Sequence, residues 1–367
     1  MNDHGSRVKE PSNLPSSHAS RGIRFKLVWF DSFGAKSSCV LVETDDVTVL
    51  IDPGVAVMHP SFPASSVEKA LWAAKGRRAI VNAARRADVI VVSHYHWDHF
   101  TRDPDVYRNK LLLAKNPNEY INDSQRKRAV EFYSNLWKTF GGKTIEFKPR
   151  RDVRFKDPAD ELSSISMNFG GYQERRLELL EAGRKWFKRR AEKWRSYKVI
   201  PEAELRGLKI VYPEGRELRF GGTKLRFSPP LFHGIEYSRV GWVFSTVIEF
   251  KGEKLLHSSD LNGPVIEDYA EMIVRENPSY IILDGPMTYM LGYTLNMVNF
   301  RRVLENAKRI VEEADFKLMI WDHHLPREPR FRERTRSVWT AAERKGKPLM
   351  TASEFQLGKK PVVERTL

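Results

Sequence analysis

Four side chains that can bind a metal lie within six positions of Ser93-His94-Tyr95-His96-Trp97-Asp98-His99-Phe100. They follow the run Ala87–Val92, which reads as a buried strand, so a tight loop at its end can turn all four toward one point. His94 and His96 alternate as on a strand and share a face. Asp98 and His99 come after the chain turns and can reach a second metal beside the first. Imidazole nitrogens and carboxylate oxygens suit Zn²⁺, at about 2.0–2.2 Å, and also accept iron or manganese. A chance cluster of surface or core histidines would not account for both the spacing and the preceding strand. Cys39 is the single cysteine, which excludes an intrachain disulfide and a thiolate cage and leads us to expect a cytoplasmic protein.

The elements around this cluster follow a regular grammar. Phe25–Asp31, Ser38–Glu43 and Val47–Asp52 read as an opening antiparallel meander closed by Pro53 and Gly54. A helix is expected over Ser66–Arg86, a strand over Lys110–Lys115 and a helix over Ser124–Phe140. The stretch Gly141–Ser166 has no clear period, and Tyr172–Lys198 predicts a long basic helix. Strands resume at Glu217–Pro230, with a hairpin turn at Gly221-Gly222, then at Gly241–Phe250 and Glu253–Asp260. Two β/α units close the chain: a helix over Gly263–Glu276 opened by Pro264, a strand over Tyr280–Asp284, a helix over Asn296–Glu313 and a strand over Lys317–Asp322. Each half runs strands then helices, which suits two sheets packed face to face with helices outside. Residues 1–21, polar and without an apolar core, read as a disordered tail, and 22–367 as one domain with a basic, mostly helical insertion at about 123–205.

His94-Tyr95-His96-Trp97-Asp98-His99 resembles the H-x-H-x-D-H signature of the metallo-β-lactamase superfamily. Asp52 in Ile51-Asp52-Pro53-Gly54 resembles that family's early aspartate, which orients the histidine loop rather than binding metal. His233 resembles the third-motif histidine and Asp260 the carboxylate shared by two metals; the last ligand is His323 or its neighbour His324, with His323 favoured because it directly follows the strand and His324 then behind the site. The wording of Ile51–Val57, Ala114–Arg128, Ser258–Pro264, Asp284–Tyr289 and Asp322–Arg327 is similar to a largely archaeal group of the superfamily. The resemblance implies a four-layer αββα sandwich of two mixed sheets. It also implies two divalent ions, Zn foremost with Fe or Mn as alternatives: one held by His94, His96 and His233, the other by Asp98, His99 and His323, with Asp260 between them. A hydroxide bridging such a pair would attack an ester-type or phosphoester bond, with Asp98 as the catalytic residue that orients it and moves a proton. His257 and His59 read as packed or outlying histidines.

The formal charge of +15 favours anionic partners, a small anionic substrate first. Scarce glutamine and abundant Arg, Lys and Glu equally suit a heat-adapted protein. Residues 123–199 carry 20 basic against 11 acidic residues, with Tyr133, Trp137, Trp186, Phe187, Trp194 and Tyr197 among them. That pattern raises a second reading, a nuclease with a stacking surface, although on a helix such a stripe is more often core. A third reading is a metal-bound binding module without turnover, against which the complete ligand set argues. No apolar run is long enough to cross a bilayer, so no membrane partner is expected.

Overall fold

The computed structural model describes residues 22–366; the stretch expected as a tail lies outside them. The first sheet is built from β1 (Arg24–Phe30), β2 (Ser38–Glu43), β3 (Thr48–Ile51), β4 (Val89–Val92), β5 (Lys110–Ala114), β6 (Ala203–Leu205) and β7 (Leu208–Val211), in the order β1-β2-β3-β4-β5-β7-β6. Its opening strands are antiparallel, and β3, β4, β5 and β7 run parallel.

The second sheet holds β8 (Glu217–Phe220), β9 (Thr223–Phe227), β12 (Thr246–Phe250), β13 (Glu253–His257), β14 (Tyr280–Asp284), β15 (Leu318–Asp322) and β16 (Leu349–Met350), in the order β16-β15-β14-β13-β12-β9-β8. Between them in the chain, β10 (Leu231–Phe232) and β11 (Trp242–Val243) form a short antiparallel pair.

Period-two alternation divides each strand between two cores. Val40, Val42, Val49, Ile51, Val89 and Val91 of the first sheet meet Leu225, Ile248, Leu255, Ile282 and Ile320 of the second in one apolar cluster. Their sequence neighbours Leu41, Leu50, Ile90, Leu256, Ile281 and Met319 face the other way, toward helices. These helices are α1 (Ser66–Ala84), α2 (Asp123–Leu136), α3 (Gln173–Ser196), α4 (Glu267–Glu276) and α5 (Met297–Glu313), followed by the short α6 (Phe331–Arg334) and by α7 (Arg336–Lys345) and α8 (Ala352–Leu357). The result is the expected αββα sandwich with two mixed sheets. Ser65 starts α1 with a capping box: its hydroxyl accepts the Glu68 N–H while the Glu68 carboxylate accepts the Ser65 N–H. Asn296 caps α5 in the same sense.

Four expectations change. The helix expected from Gly263 begins at Glu267, because Gly263 has φ 123° and Pro264 sits in the preceding loop. The run expected as one strand over Gly241–Phe250 breaks into β11 and β12, and β11 leaves the sheet to pair with β10. β6, β7 and β16 are additional strands. The span 123–205 contains α2, short helical turns and α3, but its last three residues are β6, at the edge of the first sheet.

The parallel strands matter most for chemistry. β3, β4, β13, β14 and β15 end on one side, and Asp52, His94, Asp260, Asp284, His323 and His324 sit at or just beyond those ends. In open α/β sheets this carboxyl-end crevice is where ligands bind.

Candidate metal centre

The loops at those strand ends, with the loop after β10, bring six of the expected side chains together around a seventh, Asp260. His94, His96, His233 and Asp260 offer ligand atoms within 4.8 Å of one another, and so do Asp98, His99 and His323. Asp260 lies between the groups: its Oδ2 is 3.4 Å from His94 Nε2 and 3.1 Å from His233 Nε2, and its Oδ1 is 3.1 Å from His99 Nε2 and 3.4 Å from His323 Nε2. Ring nitrogens face each other inside both groups, His94 Nε2 with His96 Nδ1 at 3.1 Å and His99 Nε2 with His323 Nε2 at 3.2 Å.

Behind these side chains stands a layer that fixes ring orientation, as metal-binding imidazoles usually require. Asp52 lies 2.9 Å from His99 Nδ1 and accepts hydrogen bonds from the Ser93 amide and hydroxyl, so the structure puts it behind the centre. Asp31 does the same for His323, with its Oδ1 3.0 Å from Nδ1. Asp31 also accepts from the Ser37 and His324 amides and pairs with Arg327, whose Nη2 lies 3.6 Å from Asp98 Oδ2. Gln125 of α2 has its Nε2 3.4 Å from His96 Nε2, donates to the Val240 carbonyl at 2.8 Å and accepts from the Tyr95 amide. His324 stands beside His323, its ring facing Asp260 on one side and Asp284 on the other.

Asp31, Asp284, Gln125 and Arg327 were not singled out from the sequence. Asp31 and Asp284 had the same signal as Asp52, an aspartate closing a buried strand. Three other residues at these strand ends hold φ values that favour glycine: Asp52 at 49°, Ser259 at 56° and His324 at 64°. Such backbone costs about 1–3 kcal/mol per residue and concentrates at functional sites.

The donor set fits cations. His233 Nδ1 and Nε2 and Asp260 Oδ1 are buried without a hydrogen-bond partner, a costly arrangement unless something else binds them. Burial, then His99, holds His94 well below the usual imidazole range, and burial with His233 takes His96 down to about 3. Around the other group burial acts in the same direction, but Asp260 and Asp52 outweigh it and push His99 well up, while Asp31 and Asp260 carry His323 up to about 10. His94 and His96 are thus kept neutral in the first group, and the anionic surroundings of His99 and His323 in the second attract positive charge. The chain's residues fit divalent metal binding.

Access is narrow. His94, His99, Asp260 and His323 are buried, His96 is half-buried, and the Asp98 side chain keeps 14% of its surface. Trp97 beside them is exposed, with Arg102 over its ring. His257 is buried between the sheets, its Nε2 2.9 Å from the Ser38 carbonyl oxygen, and His59 pairs with Ser61 in a surface loop, so neither joins the centre.

Five of the six aromatic residues offered as a stacking surface are core: Tyr133, Trp137, Trp186, Phe187 and Trp194 are buried. Trp186 stacks on Trp242 at 5.3 Å, and the Trp194 indole donates to the Ile121 carbonyl. Helix α3 therefore braces the β10–β11 loop that carries His233. Among the described residues no helix is long and apolar enough to cross a membrane.

The metallo-beta-lactamase superfamily model matches residues 34–108. A UPF0282 protein of Pyrobaculum arsenaticum is 31% identical over 332 residues, covering 90% of this chain and 88% of its own. A UPF0282 protein of Methanopyrus kandleri is 29% identical over 331 residues, covering 86% and 88%. Among solved structures, the metallo-beta-lactamase fold protein YhfI from Bacillus subtilis aligns over 90% of this chain and 95% of its own, at 10% identity and a TM-score of 0.41.

Proposed function

Because the chain belongs to the UPF0282 family, within the metallo-β-lactamase superfamily, we propose that it is a metal-dependent hydrolase of a small anionic ester or phosphoester. One observation carries this reading: side chains from separate strand ends converge in two groups with the Asp260 carboxylate between them. Two divalent cations held there would supply Lewis acidity, lowering the pKa of water and polarising the oxygen under attack.

The chain's own residues then have distinct tasks. His94, His96 and His233 would hold one ion, Asp98, His99 and His323 the other, with Asp260 shared. Asp98 is the carboxylate of the set that reaches the opening, so substrate would approach past it. Burial favours its protonated form, but His99, His323 and Arg327 outweigh this and hold the carboxyl below its usual range. An anionic Asp98 can accept a hydrogen bond from the attacking water on its second oxygen and take up its proton there. Lys36 and Arg128, both half-buried, lie close enough to couple electrostatically to Asp98 and add positive charge near it. That surplus favours an anionic group on the substrate.

The test is turnover of a panel by protein of known metal content: bis(p-nitrophenyl) phosphate, lactones, thioesters and labelled RNA, with wild type and Asp98→Ala. Hydrolysis of a small ester or phosphoester is expected, lost on chelation and reduced by about 10²–10⁴ in the variant. Cleavage of RNA alone, falling steeply with salt, would replace this reading with a nuclease. No turnover by the metal-replete protein would overturn it.

A further inference from the structure

We propose that His324 is an eighth ligand of the centre, giving its imidazole to the ion held by His323; this rests on the two-ion centre proposed above. Asp260, His323 and His324 form a third group whose ligand atoms lie within 4.8 Å of one another, and it shares a member with each of the other two. His324 Nε2 is 3.9 Å from Asp260 Oδ2, the lobe that also faces His94 and His233, but His323 is the imidazole grouped with it, and its ring centroid is 4.2 Å from that of His323. The imidazole therefore points at the carboxylate both ions would share.

Its other nitrogen is turned toward a carboxylate, as in the neighbouring rings, although without their hydrogen bond. Nδ1 of His99 faces Asp52 and Nδ1 of His323 faces Asp31. Nδ1 of His324 faces Asp284 Oδ2 at 3.6 Å, buried and without a hydrogen-bond partner. Asp284 is itself held by the Leu261 and Asn262 amides, on the loop that carries Asp260. A carboxylate behind Nδ1 and a free Nε2 in front is how a metal-binding imidazole is oriented.

The backbone points the same way. His324 has φ 64° and ψ −41°, a conformation that glycine tolerates far better, and its amide is held there by Asp31 Oδ2 at 2.8 Å. That strained turn swings the ring off the strand direction and toward Asp260. A histidine that merely filled space would not need the strain.

The consequence concerns the metal. With His324, one ion gains five protein donors: the imidazoles of His99, His323 and His324 and the carboxylates of Asp98 and Asp260. Zinc in proteins is held by three or four side chains, whereas Fe²⁺ and Mn²⁺ accept six ligands and would keep a position open for water or substrate. The second position should therefore take Fe²⁺ or Mn²⁺ in preference to Zn²⁺.

Full-length protein stripped of metal and reloaded with Co²⁺ tests this. Metal is counted first: fewer than two ions per chain in wild type would defeat the two-ion reading itself. With two bound, one Co²⁺ is expected to show the weak visible absorption of five- or six-coordination. In His324→Ala that ion should take on the intense bands of four-coordination and bind at least about tenfold more weakly. Unchanged spectra and affinity in the variant would overturn the eighth ligand while leaving the two-ion centre intact. A measurement on wild type covers a variant that fails to fold. In ¹⁵N-histidine-labelled protein loaded with ¹¹³Cd, both cadmium resonances should be split by three nitrogens; three for one and two for the other would overturn the proposal.

Discussion

Asp31 carries more of the centre than any residue outside the ligand set, although it touches no proposed ion. Its carboxylate faces His323 Nδ1, accepts the His324 and Ser37 amides and pairs with Arg327, which in turn approaches Asp98. Burial alone would raise its pKa, but Arg327 and His323 beside it hold the carboxyl well below the usual range. Asp31→Asn keeps the shape and removes the charge. Loss of such an outer partner costs about 10–100-fold in metal affinity, and chelator competition should find that loss in the ion held by His323 with the other nearly unchanged. An equal loss from both positions would show that Asp31 acts through the fold rather than through His323. The same residue marks how far a sequence can be read. His94, His96, Asp98 and His99 are local in the chain, so their spacing exposes them. Asp31 meets His323 across 292 positions, and only the common rule of an aspartate at a buried strand's end hints at the pair.

Helix α3 is the element whose role the sequence describes least well. Its charges and aromatic residues suggest a nucleic-acid surface, yet the aromatic face is packed on Trp242, Tyr120 and Phe155. Periodicity reveals that such a face is buried but not against what. β6 and β7 escaped notice for a related reason: Ala203–Leu205 and Leu208–Val211 are too short for a clear alternation, and the edge of the sheet defines them. Gly183 on α3 lies against the Tyr237 ring, which a Cβ would overlap. Gly183→Ala gains about 1 kcal/mol in helix propensity, against about 1–3 kcal/mol for overpacking. Packing should win, so chemical denaturation is expected to show net destabilisation, with weaker metal binding at the group containing His233. A more stable variant with intact metal binding would refute the brace.

The same helix is tied down by charge. Arg176 of α3 and Arg302 of α5 both pair with Glu236 on the His233 loop, at 3.0 and 2.8 Å, and Arg302 also pairs with Glu267 of α4. Burial would raise the Glu236 pKa, but its hydrogen bonds with Arg302 and the two arginine charges lower it below 4.5. A carboxyl depressed on folding contributes stability above its unfolded pKa and loses it as pH falls toward the folded one. Glu236→Gln should therefore cost about 3–5 kcal/mol at neutral pH, where it leaves Arg176 buried without an acidic partner among the described residues and Arg302 with Glu267 alone. That gap to wild type should narrow below about pH 4.5. Denaturation at a series of pH values would expose the opposite trend.

For the whole molecule, both sheets contribute side chains to the proposed centre. β4 ends in His94, His96, Asp98 and His99, while His233, Asp260 and His323 come from the half that builds the second sheet. Bound cations would thus join halves that an apolar layer already joins. That layer contains 23 buried residues, and each large one contributes about 1.5–3 kcal/mol when removed from water. A ligand at 100 times its dissociation constant adds only about 2.7 kcal/mol per site. The comparison decides what chelation does: the core outweighs the ions, unlike in a zinc finger, where the metal is the core. Stripped protein should keep its far-UV circular dichroism and unfold in one guanidinium transition, at a lower midpoint and with unchanged m, and reloading should restore the midpoint. Unfolding on chelation would mean that the inter-sheet layer is too weak to hold the sandwich. An unmoved midpoint, with two ions shown to rebind, would mean that they bind native and unfolded chain alike, which ligands gathered from both sheets do not allow.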